Sequence, residues 1–258
     1  MSSALLHGAG AVPIVALDHA TAEPALAIAR RLGDRCRFYK VGSELFTAAG
    51  PGIVRTLREE LGADVFLDLK FHDIPNTVAG AVRSAARLGA RLLTVHASGG
   101  APMLAAARQA ADEVAGGACG VLAVTVLTSL DAAVLGAAWG RTDALQMERE
   151  VLRLAELAAT TGVHGVVCSG AEVGAVRARF GDRLAPLVPG IRLAGGNAHD
   201  QSRVMTPAAS QRAGARYLIL GRAVTADSDP VAAMDRVLVE LRSDASEIGA
   251  QDTPEGRM

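Results

Sequence analysis

The feature that most constrains the fold of this chain is a repeated switch between two hydrophobic patterns. Short runs rich in β-branched residues alternate with longer stretches of Ala, Leu and Arg that have helical periodicity. The switch recurs about every 25 to 35 residues, which is typical of alternating strands and helices. Eight strands are predicted, each followed by an alanine-rich helix, at 13–18, 37–42, 65–71, 91–97, 120–127, 165–170, 184–191 and 217–221.

This order of elements predicts an α/β fold with a parallel sheet, and eight units are the number that closes into a (β/α)8 TIM barrel. An open, doubly wound sheet is the alternative. It is disfavoured because Asp18-His19-Ala20 follows the first strand, where a dinucleotide-binding sheet has GxGxxG. We predict a single barrel domain at 1–243 and a polar, disordered tail at 244–258.

The charge balance and the cysteines narrow the class of protein. The net charge of −1 lacks the basic excess typical of proteins that bind nucleic acids or anionic membranes, so a small molecule is the expected ligand.

No apolar run has the roughly 20 residues of a transmembrane helix, and the first residues resemble no signal peptide. The three cysteines fit neither a disulfide framework nor a CxxC site. We expect reduced structural thiols and a cytoplasmic protein.

Lysine is rare in this chain. Among 26 basic residues only Lys40 and Lys70 are lysines, and all the others are arginines. A guanidinium is effectively never deprotonated, whereas an ammonium can give up a proton. Both lysines lie near the ends of neighbouring predicted strands, which favours a chemical role for them.

The third predicted strand, VFLDLKF, places charges on one face. Alternation puts Phe66, Asp68 and Lys70 on the face opposite Leu67 and its apolar neighbours. Buried charges are costly unless paired. Asp68 and Lys70 alone fit a structural ion pair equally well, but the adjacent Lys40 favours an active site.

Active sites of such barrels lie at the C-terminal ends of the strands. Polar residues recur at these positions in the sequence: Asp18, Lys40, Asp68, Lys70, His96, Thr128, Ser129, Arg192, Gln201 and Arg222.

The run 68–77, Asp-Leu-Lys-Phe-His-Asp-Ile-Pro-Asn-Thr, resembles the signature of the orotidine 5'-phosphate decarboxylase family, with its Asp-x-Lys-x-x-Asp core. Further matching blocks follow in order along nearly the whole barrel: VALDHA, YKVGSELF, TVHASGG, AVTVLTS, PGIRL, RVMTP and LGRAVT. The resemblance implies decarboxylation of orotidine 5'-phosphate (OMP) to UMP, the last step of de novo pyrimidine synthesis, without a cofactor or a metal.

The resemblance also implies an alternating charge array of Lys40, Asp68, Lys70 and Asp73. Asp73 and Thr77 are expected to complete the site of the partner in a homodimer. Loss of CO2 from C6 leaves a carbanion that no carbonyl group delocalises conventionally. An ammonium at C6 stabilises this charge and delivers a proton, so Lys70 is the predicted general acid.

Phosphate in such barrels is often bound by the loops after strands 7 and 8. The family resemblance assigns it to Gly221 and Arg222. Arg192 opens a Gly-rich, polar stretch that resembles the family's mobile lid, in which Gln201 would bridge phosphate and pyrimidine.

The remaining nucleotide contacts are expected from four positions. Asp18 should accept hydrogen bonds from ribose hydroxyls, and Lys40 should orient Asp68 and contact the ribose. Thr128 and Ser129 should contact the amide edge of the pyrimidine.

His72 and His96 receive no catalytic role, because a histidine near a strand end is more often structural. No metal is predicted, because two lysines within the cluster would repel a divalent cation. Two alternatives stay open: a Mg²⁺-dependent sugar-phosphate lyase or synthase of the same superfamily, such as hexulose-phosphate synthase, and a non-catalytic nucleotide-binding barrel.

Overall fold

Eight parallel strands close into a barrel in which each strand pairs with its neighbours in chain order and β8 pairs with β1. The computed structural model describes residues 10–141, 145–193 and 205–251. The strands are β1 Val12–Ala16, β2 Phe38–Gly42, β3 Asp64–Phe71, β4 Leu92–His96, β5 Gly120–Val124, β6 Gly165–Val167, β7 Ala185–Val188 and β8 Tyr217–Leu220. The predicted (β/α)8 barrel is therefore confirmed. Several strands end earlier than predicted, because the chain leaves the sheet there to form the loops of the barrel mouth.

Helices follow every strand and cover the outside of the barrel. Those of the described residues are α1 Ala22–Leu32, α2 Ser43–Ala49, α3 Gly52–Arg55, α4 Pro75–Arg87, α5 Gly100–Ala115, α6 Ala132–Ala138, α7 Met147–Thr161, α8 Val173–Phe180, α9 Pro207–Arg212, α10 Arg222–Thr225 and α11 Pro230–Gln251. Helix α11 continues past residue 244 into the segment predicted to be a tail. None of the helices described is long and apolar enough to cross a membrane.

Two apolar layers result from the alternation of side chains along the strands. The inner layer fills the barrel and includes Ile14, Phe66 and Leu92. The outer layer lies between the sheet and the helices and includes Leu67. The faces predicted for β3 are confirmed, since Phe66 points inward while Leu67 and its apolar neighbours pack outward.

The regular pairing of β3 with β4 breaks at the end of β3. Leu67 pairs with Leu93 but Phe71 pairs with Val95, so β3 bulges between the two positions. Within the bulge Lys70 has a φ of 50°, the only positive φ among the described residues other than glycine. A non-glycine residue in the left-handed region is uncommon, and strained backbone of this kind costs about 1–3 kcal/mol.

The N-terminal end of the barrel is closed by a hydrogen bond between two aromatic side chains. His164 precedes β6, and its Nε2 lies 2.8 Å from the hydroxyl oxygen of Tyr217 at the start of β8. A Cβ at Gly120 would clash with the His164 ring, so glycine makes room for it. Burial, together with the nearby charges of Arg216 and Arg91, lowers the pKa of His164 to about 4.

The three cysteines, Cys36, Cys119 and Cys168, are buried and free. Burial raises the pKa of each thiol, to about 12 for Cys119. They are therefore protonated and unreactive at neutral pH, which confirms the expectation of structural thiols.

Candidate active site

A cavity of about 320 Å³ opens at the C-terminal ends of the strands. Its walls bring together eight of the residues predicted from the sequence: Asp18, Lys40, Asp68, Lys70, Thr128, Arg192, Gly221 and Arg222. Its base consists of apolar residues at the strand ends: Ala16, Phe66, Val124, Val167, Leu187 and Ile219. Four cationic side chains and two carboxylates line the cavity above this base. The cavity therefore suits an anionic ligand that also has an apolar part.

One side of the cavity carries a chain of alternating charges. Lys40 Nζ lies 2.7 Å from Asp18 Oδ1 and 3.7 Å from Asp68 Oδ2. Lys70 Nζ lies 2.8 Å from Asp68 Oδ1. Asp68 thus lies between two ammonium groups, and Lys40 lies between two carboxylates. Lys40 is almost fully buried, which is tolerable because both of its neighbours are carboxylates.

Gly42 is a residue of this site that the sequence analysis missed. A Cβ at Gly42 would lie 3.0 Å from Lys40 Nζ and 3.2 Å from Asp18 Oδ1. A side chain there would therefore press on the Lys40–Asp18 ion pair. The sequence signal was available, because Gly42 lies two residues after Lys40 and so on the same face of β2.

Thr94 is the second residue that was missed. It lies on β4, is fully buried, and contacts both charged residues of β3. Its hydroxyl donates a hydrogen bond to Asp68 Oδ1 at 3.0 Å and accepts one from the Lys70 backbone N–H at 2.9 Å. Thr94 lies two residues before His96, so alternation alone places it on the inner face.

The rings of His72 and His96 lie near Lys70, with their centroids 5.2 Å apart and their planes tilted by 36°. Burial lowers the pKa of His96, the neighbouring charges of His72 and Lys70 lower it further, and Asp68 opposes them. His96 is therefore neutral at pH 7 and does not compete with Lys70 for the carboxylate.

The cavity also has basic groups that follow β7 and β8 and have no acidic partners among the described residues. Arg192 and Arg222 line it with Gly221, and among the described residues no carboxylate forms an ion pair with either arginine. Arg192 Nη1 donates only to the carbonyl oxygen of Ile191, at 3.3 Å. These guanidinium groups are available to bind an anion. Gln201 lies outside the described residues.

Three predicted residues do not line this cavity. Asp73, Thr77 and Ser129 are all exposed on the surface of the single chain. Asp73 Oδ1 accepts a hydrogen bond from the backbone N–H of Ile74 at 2.6 Å. Within one chain the charge array therefore begins at Asp18 and ends at Lys70.

The described part of the chain contains no group of three or more His, Cys, Asp or Glu side chains placed to hold a metal ion. Each carboxylate of the cavity is instead within ion-pair distance of a lysine. Such an arrangement can hold an ammonium in its charged form and direct it at a reacting atom.

A family model described as "Orotidine 5'-phosphate decarboxylase / HUMPS family" matches residues 12–237. An orotidine 5'-phosphate decarboxylase from Sodalis glossinidius is 46% identical over 244 residues, which cover 93% of this chain and 94% of the relative. Another, from Alkalilimnicola ehrlichii, is 52% identical over 232 residues, covering 88% of this chain and 95% of the relative.

Solved structures give the same result. The crystal structure of orotidine 5'-phosphate decarboxylase from Lactobacillus acidophilus superposes with a TM-score of 0.78 at 37% identity. The superposition covers 90% of this chain and 99% of the Lactobacillus acidophilus chain. The similarity therefore extends over most of the chain.

Proposed function

The chain belongs to the orotidine 5'-phosphate decarboxylase / HUMPS family, and from this we propose that it converts OMP to UMP and CO2. The observation that carries the proposal is the continuous array Asp18–Lys40–Asp68–Lys70 in a cavity that two arginines also line, neither of which has an acidic partner among the described residues. This would be the last step of de novo pyrimidine synthesis, and it needs no cofactor.

The reaction breaks the bond between C6 and the carboxylate carbon. CO2 leaves, and the electron pair remains on C6 as a carbanion at an sp2 carbon. The Lys70 ammonium stabilises this charge as it develops and then transfers a proton to C6, so Lys70 is the general acid. The neutral amine regains its proton from solvent. A preorganised cation suits this step because it needs no reorientation as the charge forms.

The carboxylates around Lys70 have two proposed effects. Asp68 contacts Lys70 Nζ and so fixes the position of the ammonium group. Asp68 would also lie near the substrate carboxylate and raise its ground-state energy by repulsion. Lys40 orients Asp68 and contacts the ribose, and Asp18 accepts hydrogen bonds from the ribose hydroxyls.

The other side of the cavity would bind the phosphate and the base. Arg222 and the backbone of Gly221 are proposed to bind the 5'-phosphate together with Arg192, because both guanidinium groups are free of acidic partners in the described structure. Thr128 and Ser129 are proposed to contact the pyrimidine amide edge, although only Thr128 lines the cavity of the single chain. A bridging role for Gln201 stays a prediction from the sequence.

A homodimer would place Asp73 and Thr77 in the partner's site, where Asp73 adds a carboxylate beside Lys70. Both residues are exposed on the single chain and are therefore accessible to a second copy. A cytoplasmic location is also proposed, because buried free thiols suit a reducing compartment.

The alternative within the same superfamily is a Mg²⁺-dependent sugar-phosphate enzyme, because the family description joins two groups of proteins. Relatives that are 44–52% identical bear the decarboxylase name, which favours the pyrimidine reaction. A non-catalytic barrel is disfavoured, since burying Lys40 between two carboxylates is costly without a function.

The deciding experiment follows the loss of OMP absorbance with purified protein in the presence of EDTA. We expect rapid conversion to UMP that the chelator does not affect. No conversion of OMP, together with Mg²⁺-dependent turnover of a hexulose phosphate, would support the sugar-phosphate alternative. Tight UMP binding without any turnover would support the binding protein.

A further inference from the structure

One buried hydroxyl connects the two charged residues of β3. Thr94 Oγ1 donates to Asp68 Oδ1 and accepts from the Lys70 backbone N–H, at 3.0 and 2.9 Å. Thr94 is fully buried and does not line the cavity. Its hydroxyl therefore contacts the reacting groups without being able to contact the substrate.

We propose that Thr94 is a positioning residue for the decarboxylation, which holds Asp68 and the backbone of Lys70 in their reactive arrangement. The inference rests on the proposed function and adds to it a residue behind the charge array. Thr94 would restrict the rotation of the Asp68 carboxylate and hold the backbone of Lys70 in its left-handed conformation.

The bulge in β3 explains why a side chain is needed. Pairing with β4 shifts register between Leu67 and Phe71, so the ladder of backbone hydrogen bonds is interrupted there. The Lys70 N–H bonds to the Thr94 hydroxyl in place of a β4 carbonyl. A strained residue persists only when its surroundings determine its conformation, and this hydrogen bond is one such determinant.

The carboxylate of Asp68 is fixed from three directions. Oδ1 accepts from Lys70 Nζ and from Thr94 Oγ1, while Oδ2 faces Lys40 Nζ. Lysine side chains are flexible, but the β-branched threonine on β4 is rigid at χ1. Without the hydroxyl, Asp68 can rotate and the ammonium of Lys70 moves with it.

A second buried threonine at the same end of the barrel shows what an ordinary structural role looks like. Thr125, just after β5, donates its hydroxyl to the backbone carbonyl of Val167 at 2.7 Å. It makes no hydrogen bond to the charge array and does not line the cavity. Thr125→Val is therefore a matched control for Thr94→Val.

The test compares OMP decarboxylation by wild type, Thr94→Val, Thr94→Ser and Thr125→Val. For Thr94→Val we expect kcat to fall about 10²-fold, because a misplacement of about 1 Å can cost that much. The KM for OMP and the Kd for UMP should stay within about threefold of wild type, since substrate binding is not the step affected. Thr94→Ser keeps the hydroxyl and should recover most of kcat, and Thr125→Val should keep it.

A crystal structure of Thr94→Val supplies a readout that does not depend on turnover. We expect the φ of Lys70 to leave the left-handed region, or its Nζ to separate from Asp68 Oδ1. The inference is overturned if kcat of Thr94→Val is near normal, if Thr94→Ser is equally slow, or if kcat and UMP binding are lost in parallel. A wild type without OMP turnover would overturn the proposed function itself, and the catalytic role of Thr94 with it.

Discussion

The two ends of this barrel differ in the side chains that the strands bring together, since one end carries a charge array and the other a neutral hydrogen bond. At the C-terminal end, β1 to β3 bring four charged side chains to one wall of an open cavity. At the N-terminal end, β8 and the residue before β6 close the barrel with one neutral hydrogen bond between His164 and Tyr217. In barrels of this class the C-terminal end usually carries the active site, and the N-terminal end usually contributes to stability.

The mouth retains features that lower stability. Lys70 has a left-handed backbone, Lys40 is buried with its charge, and Arg192 and Arg222 have no acidic partners among the described residues. At the N-terminal end, burial keeps His164 neutral, and Gly120 leaves space for its ring. Substitutions at the C-terminal end of the barrel should therefore reduce activity more than stability. Substitutions at the N-terminal end should reduce stability more than activity.

The largest effect should come from Lys70→Ala. In the proposed mechanism, general acid catalysis and electrostatic stabilisation both depend on this ammonium, so kcat for OMP should fall by more than about 10⁴-fold. UMP binding should remain measurable by calorimetry, and the melting temperature should change little. Near-normal turnover in this variant would remove the mechanism.

Lys70→Arg separates the two contributions of the lysine. It keeps a positive charge near C6, but a guanidinium is effectively never deprotonated. We expect Lys70→Arg to protonate C6 no faster than Lys70→Ala does, so that both variants form little UMP. Substantial product formation would mean that solvent, and not residue 70, supplies the proton.

The next largest effect should come from Arg222→Ala. Removing one partner of a desolvated charge pair costs about 2–5 kcal/mol, so kcat/KM for OMP should fall by about 10³-fold. Turnover of the nucleoside orotidine, which lacks the phosphate, should be unchanged. Arg30→Ala is the control, because Arg30 lies on the surface beside Glu60. An equal loss with both substrates would exclude a phosphate-binding role.

The smallest effect should come from His164 and concerns stability alone. Its pKa is about 4 in the folded protein and about 6.5 in an unfolded chain, so the unfolded chain binds a proton that the folded protein excludes between these values. Stability should therefore fall as the pH falls from about 6.5 to about 4, by at most about 3 kcal/mol.

Denaturant unfolding of wild type and His164→Gln across this pH range measures the contribution. Carboxylates also titrate there, so the difference between the two proteins is the relevant quantity. Glutamine can still hydrogen-bond to Tyr217 but does not titrate, and we expect a flatter dependence on pH with unchanged kcat. Parallel curves would show that His164 is not a source of acid sensitivity.

The strands and most of the cavity walls were predictable from the sequence because both follow from local pattern. All eight strands are present, and alternation correctly placed Phe66 inside the barrel and Leu67 outside it. Asp18, Lys40 and Arg222 were found because polar residues at strand ends stand out against apolar strands.

The roles of Gly42 and Thr94 were not predicted, although both lie at alternate positions along strands. A glycine and a threonine carry no charge and give no signal until their neighbours in space are known. The bulge of β3 was also beyond the sequence, because period-two alternation assumes a regular strand.

The sequence by itself determined the barrel, its order of strands and the end at which its charges collect. Hydrophobic periodicity and the positions of strand ends are local properties, so they can be predicted from the amino-acid sequence. Only the tertiary structure decided that Asp18 extends the charge array at Lys40 and that Thr94 connects Asp68 with Lys70. Those contacts cross between strands, and their distances depend on the register and the bulge by which β3 pairs with its neighbours.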